Sequence, residues 1–214
     1  MRADRIVLIL VILSVVLGAL HVALSIFSTS DVHWVHSKIR GTGIYSGRSW
    51  KNRTRGLLFE CVDDEPNSCE SLGKPLERVN VHPRVWEILR LRRSAYALAY
   101  ATAALAFVAY ILGGVLFVLF RTQPRKRQVT LLLIGIVGWI AAIGMYFSVI
   151  IFLEVRNQES YTFVPNASTF RGGFSKELKT ATLETMGYAF KVAIASAACG
   201  HVGSFLMMTA SMWA

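Results

Sequence analysis

Four long apolar stretches alternate with polar segments along the 214-residue chain. They cover residues 6–27, 95–120, 129–153 and 187–213, and each reaches the roughly 20 residues that a helix needs to cross a bilayer. The first three contain no Asp, Glu, Lys or Arg, and the fourth contains Lys191 and His201. No repeat, linker or second domain interrupts this pattern. We therefore expect a membrane α-helical fold, a four-transmembrane bundle that forms a single domain over residues 1–214.

The first apolar stretch has an alternative interpretation as a secretory signal peptide. Its apolar run exceeds the roughly 7–15 residues that are typical of a signal-peptide core, and no clean small-residue cleavage site follows it. We therefore expect an uncleaved membrane helix.

The short polar segments indicate the orientation. Segment 121–128 carries four basic residues and no acidic one, and two arginines precede the first span against one aspartate. Short loops rich in Lys and Arg stay in the cytoplasm. We therefore expect both termini in the cytoplasm of a plasma-membrane protein, with loops 28–94 and 154–186 outside.

Composition supports a membrane protein over a cytosolic enzyme. Hydrophobic residues make up 54% of the chain, charged residues 17%, and the mean hydropathy is +0.47, whereas soluble domains average about 25% charged residues. The net charge is +10, and half of that excess lies in the expected cytoplasmic segments, so it requires no nucleic-acid partner. We see no nucleophile–base pair, phosphate loop or paired-carboxylate site. We expect no enzyme activity, cofactor or metal.

Two features agree with the expected outer side of the loops. Asn52 and Asn166 begin the glycosylation acceptors Asn-Arg-Thr and Asn-Ala-Ser, and both fall in an expected outer loop. Cys61 and Cys69 also lie in an outer loop, where disulfides persist. Cys199 falls in the fourth span, where we expect inert packing.

The first outer loop has a strand-and-turn pattern. Short segments rich in Val, Ile, Trp, Tyr and Phe are separated by Gly, Asn, Asp and Pro, which predicts strands. They cover residues 32–39, 43–50, 56–61 and 68–72. A bridge between Cys61 and Cys69 would close a hairpin around the turn 63–67 and stabilise a small sheet; the alternative is two free thiols.

These residues resemble the signature of the claudin superfamily, W…GLW…C…C. Trp34 stands just beyond the first span, and the sequence Gly56-Leu57-Leu58 precedes Cys61 and Cys69. The superfamily includes claudins, peripheral myelin and epithelial membrane proteins, and calcium-channel gamma subunits. The four spans, the long first loop and the shorter second loop match that layout over the whole chain.

The resemblance extends beyond the signature and also has departures. Segment 27–34 resembles the exit of span one in the peripheral myelin branch. Segment 86–93 resembles the amphipathic approach to span two, with Arg93 as the claudin-type arginine near the membrane. Leu58 replaces the second signature Trp, and the last residues, 211–214, lack a C-terminal PDZ-binding motif. We therefore do not expect attachment to a junction scaffold.

The resemblance implies a left-handed four-helix bundle with a small extracellular antiparallel β-sheet. About four strands would come from the first loop and one from the second, for which Ser160–Val164 is the candidate. Trp34 and the Gly-Leu-Leu turn would pack this sheet against the bundle.

Ionisable residues inside spans are candidates for function. We expect Lys191 to extend toward the outer interface, with His21 at a similar depth and Glu184 placed to neutralise part of the charge. This group is a structural polar cluster or, alternatively, an ion relay. His201 lies deeper, where we expect a neutral, hydrogen-bonded packing role.

Two further groups have alternative interpretations. His33 and His36 have a spacing that suits zinc on a helix, but on a strand they would point to opposite faces. Asp63, Asp64 and Glu65 form an acidic turn, which is either solvated or a contact for calcium or a partner.

The resemblance implies a protein that organises cell–cell contacts or junctions by self-association in cis or trans. The contact segments would be 39–51 and 163–170, and the assembly would form a barrier or a paracellular pore. Cations near the sheet edge would then favour anions; they are Arg48, Lys51, Arg53 and Arg55. A glycan at Asn52 would stand at this edge and could block assembly.

Two alternatives follow from other branches of the superfamily. The first is an auxiliary, gamma-like subunit that modulates or traffics an ion channel or receptor and docks by a lateral face of the bundle. The second is a trafficking or membrane-organising protein of the myelin type. Small residues in spans two to four suit close helix packing, either within one bundle or against another protein.

Overall fold

The computed structural model describes residues 2–41, 43–45, 48–63, 68–71, 83–161 and 174–214. Its helices are α1 (Arg2–Ser30), α2 (Pro83–Leu119), α3 (Pro124–Tyr161), α4 (Lys176–Ala181) and α5 (Tyr188–Trp213). Its strands are β1 (Val35–Ile39), β2 (Ile44–Tyr45), β3 (Arg48–Ser49), β4 (Arg53–Arg55), β5 (Phe59–Val62), β6 (Glu70–Ser71) and β7 (Thr182–Met186).

Helices α1, α2, α3 and α5 are each long and apolar enough to cross a membrane. This confirms the predicted set of four apolar helices and indicates an integral membrane protein. Two of the helices are longer than predicted: α2 begins at Pro83 rather than Ala95, and α3 ends at Tyr161 rather than Leu153. The uninterrupted apolar runs are therefore shorter than the helices that contain them.

The extensions of α2 and α3 have their own apolar core. Val85 and Ile88 of α2 are buried in one cluster with Val155 of α3. Because these residues recur at helical spacing, the two helices continue to bury side chains beyond their uninterrupted apolar runs.

The main sheet has five antiparallel strands in the order β6-β5-β4-β1-β7, and β2 and β3 form a separate two-stranded pair. Segment 43–50, predicted as one strand, thus contains two short strands that pair with each other, whereas β4 was not predicted. In the register, Val35 of β1 stands opposite Arg55 of β4 and Met186 of β7. Alternate residues therefore form two faces.

We call these the inner and the outer face of the sheet. The inner face carries Val35, Ser37, Ile39, Arg53, Arg55, Glu60, Val62, Thr182, Glu184 and Met186. The outer face carries His36, Lys38, Thr54, Phe59, Cys61, Leu183 and Thr185.

The fifth strand lies elsewhere than predicted. One strand does come from the segment between α3 and α5, but it is β7, Thr182–Met186, and not Ser160–Val164. Ser160 and Tyr161 are the last residues of α3, and the Ser160 hydroxyl donates to the carbonyl oxygen of Arg156 at 3.0 Å; residues 162–164 lie outside the described part. The helical burial pattern of α3 continues through Glu159 and so outweighs the strand propensity of the aromatic residues that follow.

The chain divides into two compact units. The helical unit comprises Met1–Phe27, Leu98–Phe147 and Val192–Ala214, and the sheet unit comprises Ser28–Ala97 and Ser148–Lys191. The core of the helical unit includes Val7, Tyr110, Leu131 and Met207.

Candidate functional site

Trp34 anchors the sheet to the helix ends within the sheet unit. Its side chain is fully buried, and its indole N–H donates to the carbonyl oxygen of Ser28 at 2.6 Å. The ring lies edge-on to Phe152 of α3 at 4.7 Å and to Phe190 of α5 at 6.0 Å. One side chain thus contacts two helices and precedes β1 directly, which positions the sheet.

The Gly56-Leu57-Leu58 turn packs against the same region. A Cβ at Gly56 would meet the carbonyl oxygen of Asp31 and would lie 2.9 Å from the Cα of Val32. Only glycine therefore allows the two backbone segments to approach this closely. Leu57 is fully buried, and Leu58, at the position of the second signature Trp, is half-buried.

The predicted disulfide between Cys61 and Cys69 is present. It joins β5 to the residue before β6. The hydroxyl of Ser68 accepts from the backbone N–H of Val62 at 3.0 Å and donates to its carbonyl oxygen at 2.8 Å, so the hairpin is also held by hydrogen bonds. Asp63 lies in this turn, and Asp64 and Glu65 lie outside the described residues.

Five charged side chains form a connected network at the inner face of the sheet. Glu159 of α3 accepts hydrogen bonds from Arg92 of α2 and, at 2.7 Å, from Arg55 of β4. Glu60 of β5 accepts from Arg55 at 3.3 Å and from Arg53 at 3.5 Å. Arg92, Glu60 and Glu159 are buried. The network therefore ties two strands to two helices through ionised groups.

A further ion pair connects α3 to β7. Both Arg156 Nη2 and Arg156 Nε donate to Glu184 Oε2, at 3.2 and 3.3 Å. Together with the five-residue network, this pair makes the inner face a charged seam against α3.

The burial of Arg55 and the carboxylates beside it together determine the pKa of its guanidinium. Burial by itself lowers the pKa of the Arg55 guanidinium, but the carboxylates of Glu159 and Glu60 outweigh burial and raise that pKa above its usual value. Arg55 therefore stays ionised. Burial of such an ion carries a desolvation cost that its partners offset, and removal of one partner would leave the remaining charge uncompensated.

Arg92, Glu60 and Glu159 were missed by the sequence analysis, although a signal existed for two of them. The buried residues Ile88, Ala95 and Ala99 recur at helical spacing in α2, and Arg92 falls in that stripe. Glu159 falls in the same way after Phe152 and Val155 of α3. A charged residue in the buried stripe of a helix calls for an opposite charge nearby.

Arg93, the arginine selected from the resemblance, is exposed, and its neighbour Arg92 is the buried one. Of the four cations proposed for selectivity, Arg53 and Arg55 pair with Glu60. Lys51 is exposed, and the side chain of Arg48 lies outside the described part. The structure thus does not bring the four together as one exposed group.

Of the two glycosylation candidates, Asn52 lies among the described residues. Asn52 is partly exposed, and its side-chain oxygen accepts from the backbone N–H of Ile39 at 2.8 Å. Asn166 lies outside the described residues.

His33 and His36 are closer than predicted. His33 lies in the turn before β1, so the alternation of a strand does not apply to it, and the two rings are 5.3 Å apart. Asp31 Oδ1 accepts from the backbone N–H of His33, and Asp31 Oδ2 accepts from the hydroxyl of Tyr188 at 2.7 Å. The described residues contain no group of three or more His, Cys, Asp or Glu side chains that could hold a metal ion.

Partial burial and hydrogen bonds shift two pKa values in this cluster. Burial by itself raises the pKa of Asp31, but hydrogen bonds from Tyr188 and His33 outweigh it and lower the pKa overall. Burial lowers the pKa of His36, and the nearby His33 lowers it further. Asp31 is therefore ionised and His36 neutral near pH 7.

The intramembrane residues divide between the two units. His21 is fully buried in the helical unit, where its Nδ1 donates to the carbonyl oxygen of Ser196 at 2.9 Å and Ser25 bonds to the hydroxyl of Ser196 at 2.7 Å. Lys191 belongs to the sheet unit and is exposed. The carboxylate of Glu184 is bound by Arg156.

His201 is packed between aromatic rings, at 6.0 Å from Trp139 and 5.3 Å from Tyr146. Its buried Nδ1 has no hydrogen-bond partner among the described residues. The predicted hydrogen-bonded role is therefore wrong for this nitrogen, because its neighbours offer rings rather than acceptors. Cys199 is a free cysteine and partly buried.

The outer face of the sheet carries exposed apolar side chains. Phe59 is 40% exposed and Leu183 is 44% exposed. Ile44, in the separate hairpin, is 63% exposed. These residues lie outside the four long helices, so lipid chains need not cover them.

No protein-family model matches this chain, and no curated protein matches it significantly.

Proposed function

We propose that the chain is a claudin-like tetraspan protein of the plasma membrane that organises cell–cell contacts through its sheet. Its bundle would be left-handed and both termini would be cytoplasmic. The observation that supports this most is the origin of the sheet, since four strands come from the segment between α1 and α2 and one from the segment between α3 and α5. A compact sheet between membrane helices is a platform for contacts rather than a connecting loop.

The residues that carry the resemblance support the proposal one by one. Trp34 joins the sheet to α3 and α5, and Gly56 allows a close backbone approach. Cys61 and Cys69 close the β5–β6 hairpin. These contacts agree with the roles that the resemblance implies for the signature residues and so support the proposal.

The contact surface in this proposal is the outer face of the sheet. Phe59 and Leu183 are exposed there, and exposed apolar side chains suit protein contacts. Ile44 of the separate β2–β3 pair is exposed as well. Among the described cations of the proposed pore, Arg53 and Arg55 are already paired with glutamates. A barrier or adhesive assembly is therefore better supported than an anion-selective pore.

The test is localisation of the tagged protein in cells that lack their own junction strands, mixed with cells that do not express it. We expect enrichment where two expressing cells touch and not where an expressing cell meets a bare one. The double variant Phe59→Ser/Leu183→Ser should lose this enrichment at unchanged surface level. Lys176→Ser in the exposed part of α4 is the matched control and should keep it.

Enzymatic deglycosylation separates the sheet from its proposed glycans. Greater enrichment after deglycosylation would agree with a glycan at Asn52 that limits assembly. A uniform surface distribution of the wild type in both conditions would contradict the proposal. Co-purification of a channel or receptor at fixed stoichiometry in mild detergent would then support the auxiliary-subunit function instead.

A further inference from the structure

The turn between α2 and α3 is strongly basic and exposed. Helix α2 ends at Leu119 and α3 begins at Pro124, so the turn spans only residues 120–123. Arg121 in the turn and Arg125 and Lys126 in the first turn of α3 are all exposed. Three cations are therefore held close together by a short connection.

A fourth cation next to them, Arg127, is engaged in a different way. Its guanidinium donates to the backbone carbonyl oxygen of Ala214 at 2.7 Å and lies 3.6 Å from the carboxylate of Asp4. Asp4, the acidic residue at this end of the helical unit, is thus paired with Arg127. In the ranges that the structure describes, Arg121, Arg125 and Lys126 have no acidic partner.

The helix itself does not balance these charges. Arg125 and Lys126 stand at the N-terminal end of α3, where the macrodipole is positive, and the first turn of α3 contains no acidic residue. Lys126 lies over the ring of Phe120 at 5.8 Å, which adds a weak attraction without a counter-charge.

Exposed apolar side chains flank the three cations in sequence, and another lies at the end of α5 beside Ala214, which Arg127 contacts. Leu119 is 65% exposed and Val129 is 55% exposed, and Trp213 at the end of α5 is 59% exposed. Apolar side chains this exposed on membrane helices are covered by lipid, and Trp prefers the interface. The cations are therefore placed at the level of lipid headgroups.

We propose that Arg121, Arg125 and Lys126 form a binding site for the phosphate-bearing headgroups of anionic phospholipids. The arginine guanidinium binds phosphate oxygens with two parallel hydrogen bonds, and lysine adds a point charge. The positive-inside rule accounts for basic residues on one side of the membrane. It does not supply the anion that three exposed cations without an acidic partner attract.

Tryptophan quenching in reconstituted vesicles tests the site. The full chain is placed in phosphatidylcholine vesicles with increasing fractions of brominated phosphatidylserine or, in parallel, brominated phosphatidylcholine. We expect quenching to show about fivefold preference for phosphatidylserine, the effect of roughly one favourable cation at a membrane surface. The preference should weaken with added salt. Both leaflets have the same composition, so the result depends neither on orientation nor on the function proposed above.

The variant Arg121→Gln/Arg125→Gln/Lys126→Gln should reduce the preference to about onefold. The matched control removes three exposed cations of the sheet unit, Lys38, Arg84 and Lys176, and should keep the wild-type value. An intact Cys61–Cys69 bridge and monodisperse elution establish that both variants are folded.

Three outcomes would overturn the proposal. They are no preference in the wild type, an unchanged preference in the triple variant, and an equal loss in the control. Loss of the preference on adding inorganic phosphate at constant ionic strength would also overturn it, by assigning the site to a soluble anion.

Discussion

The helical unit and the sheet unit bury their polar groups in different ways. In the helical unit, buried hydrogen bonds such as the following join neutral groups. Ser14 donates to the carbonyl oxygen of Gly203 at 2.6 Å, and Tyr110 bonds to Ser204 at 3.0 Å. The sheet unit also has buried hydrogen bonds between neutral groups, such as that from Trp34 to Ser28, but it adds buried charged side chains that pair with one another, with Glu159 between Arg55 and Arg92.

The difference follows from the surroundings of each unit. A charged side chain at the centre of a membrane helix costs about 2.5–3.5 kcal/mol on insertion scales, whereas a serine can bond to a nearby carbonyl oxygen. The charged network lies where α2 and α3 extend past their uninterrupted apolar runs. There, strands and helices from distant parts of the chain can supply opposite charges.

The largest expected effect is in the charged network. Glu159→Gln leaves the buried Arg92 and the partly buried Arg55 beside a neutral amide, and removing one partner of a buried pair costs about 3–5 kcal/mol. We expect a much lower thermal unfolding midpoint in detergent and poor surface delivery. Glu154→Gln, an exposed position on the same helix, is the control. Equal behaviour of the two variants would contradict the network's structural role.

The disulfide is next in expected size. Cys61→Ser or Cys69→Ser should destabilise the protein by about 2–3 kcal/mol and reduce surface delivery, because the β5–β6 hairpin loses its covalent closure. Cys199→Ser in the helical unit should have little effect, since this thiol is free. Wild-type surface levels for both hairpin variants would count against a folding role of the bridge and against the resemblance.

Gly56 and Gly114 differ in how closely other atoms approach the position that a Cβ atom would take. At Gly56→Ala, the new methyl group would meet the backbone of Asp31 and Val32, and we expect a loss of about 1–3 kcal/mol. At Gly114→Ala, nothing lies within 4 Å of the new Cβ, and alanine favours the helix by up to about 1 kcal/mol. Unfolding midpoints should therefore move in opposite directions. A higher unfolding midpoint for Gly56→Ala would show that the sheet unit can adjust around Gly56 to fit the methyl group.

The smallest effect is expected for hydrogen bonds between neutral groups in the helical unit. Ser196→Ala removes the hydroxyl that Ser25 and His21 contact, and intramembrane hydrogen bonds average about 0.6 kcal/mol. Thr209→Ala on the same helix should be near neutral, because the Thr209 hydroxyl donates to the carbonyl oxygen of Phe205 within its own helix at 2.9 Å. A loss for Ser196→Ala as large as that for Glu159→Gln would remove the contrast between the units.

Some of the sheet unit could be predicted from local sequence alone. The hairpin between Cys61 and Cys69 was predicted because two cysteines flanked a turn-forming segment, and the structure contains it. The strand β7 was misplaced, because a five-residue strand has a weak local signal and depends on pairing with β1 over its whole length. The charged network was not predicted, since bonded partners such as Arg55 and Glu159 are 104 residues apart in sequence.

The sequence by itself determined the four long apolar helices, because burial in lipid requires about 20 consecutive apolar residues and that requirement is local. It also indicated the hairpin that Cys61 and Cys69 close. Only the tertiary structure decided which residues pair with Arg92 and where the fifth strand lies. It alone placed one glutamate between two arginines. Those outcomes depend on opposite charges and strand edges meeting across the fold, and no local pattern records the distance between them.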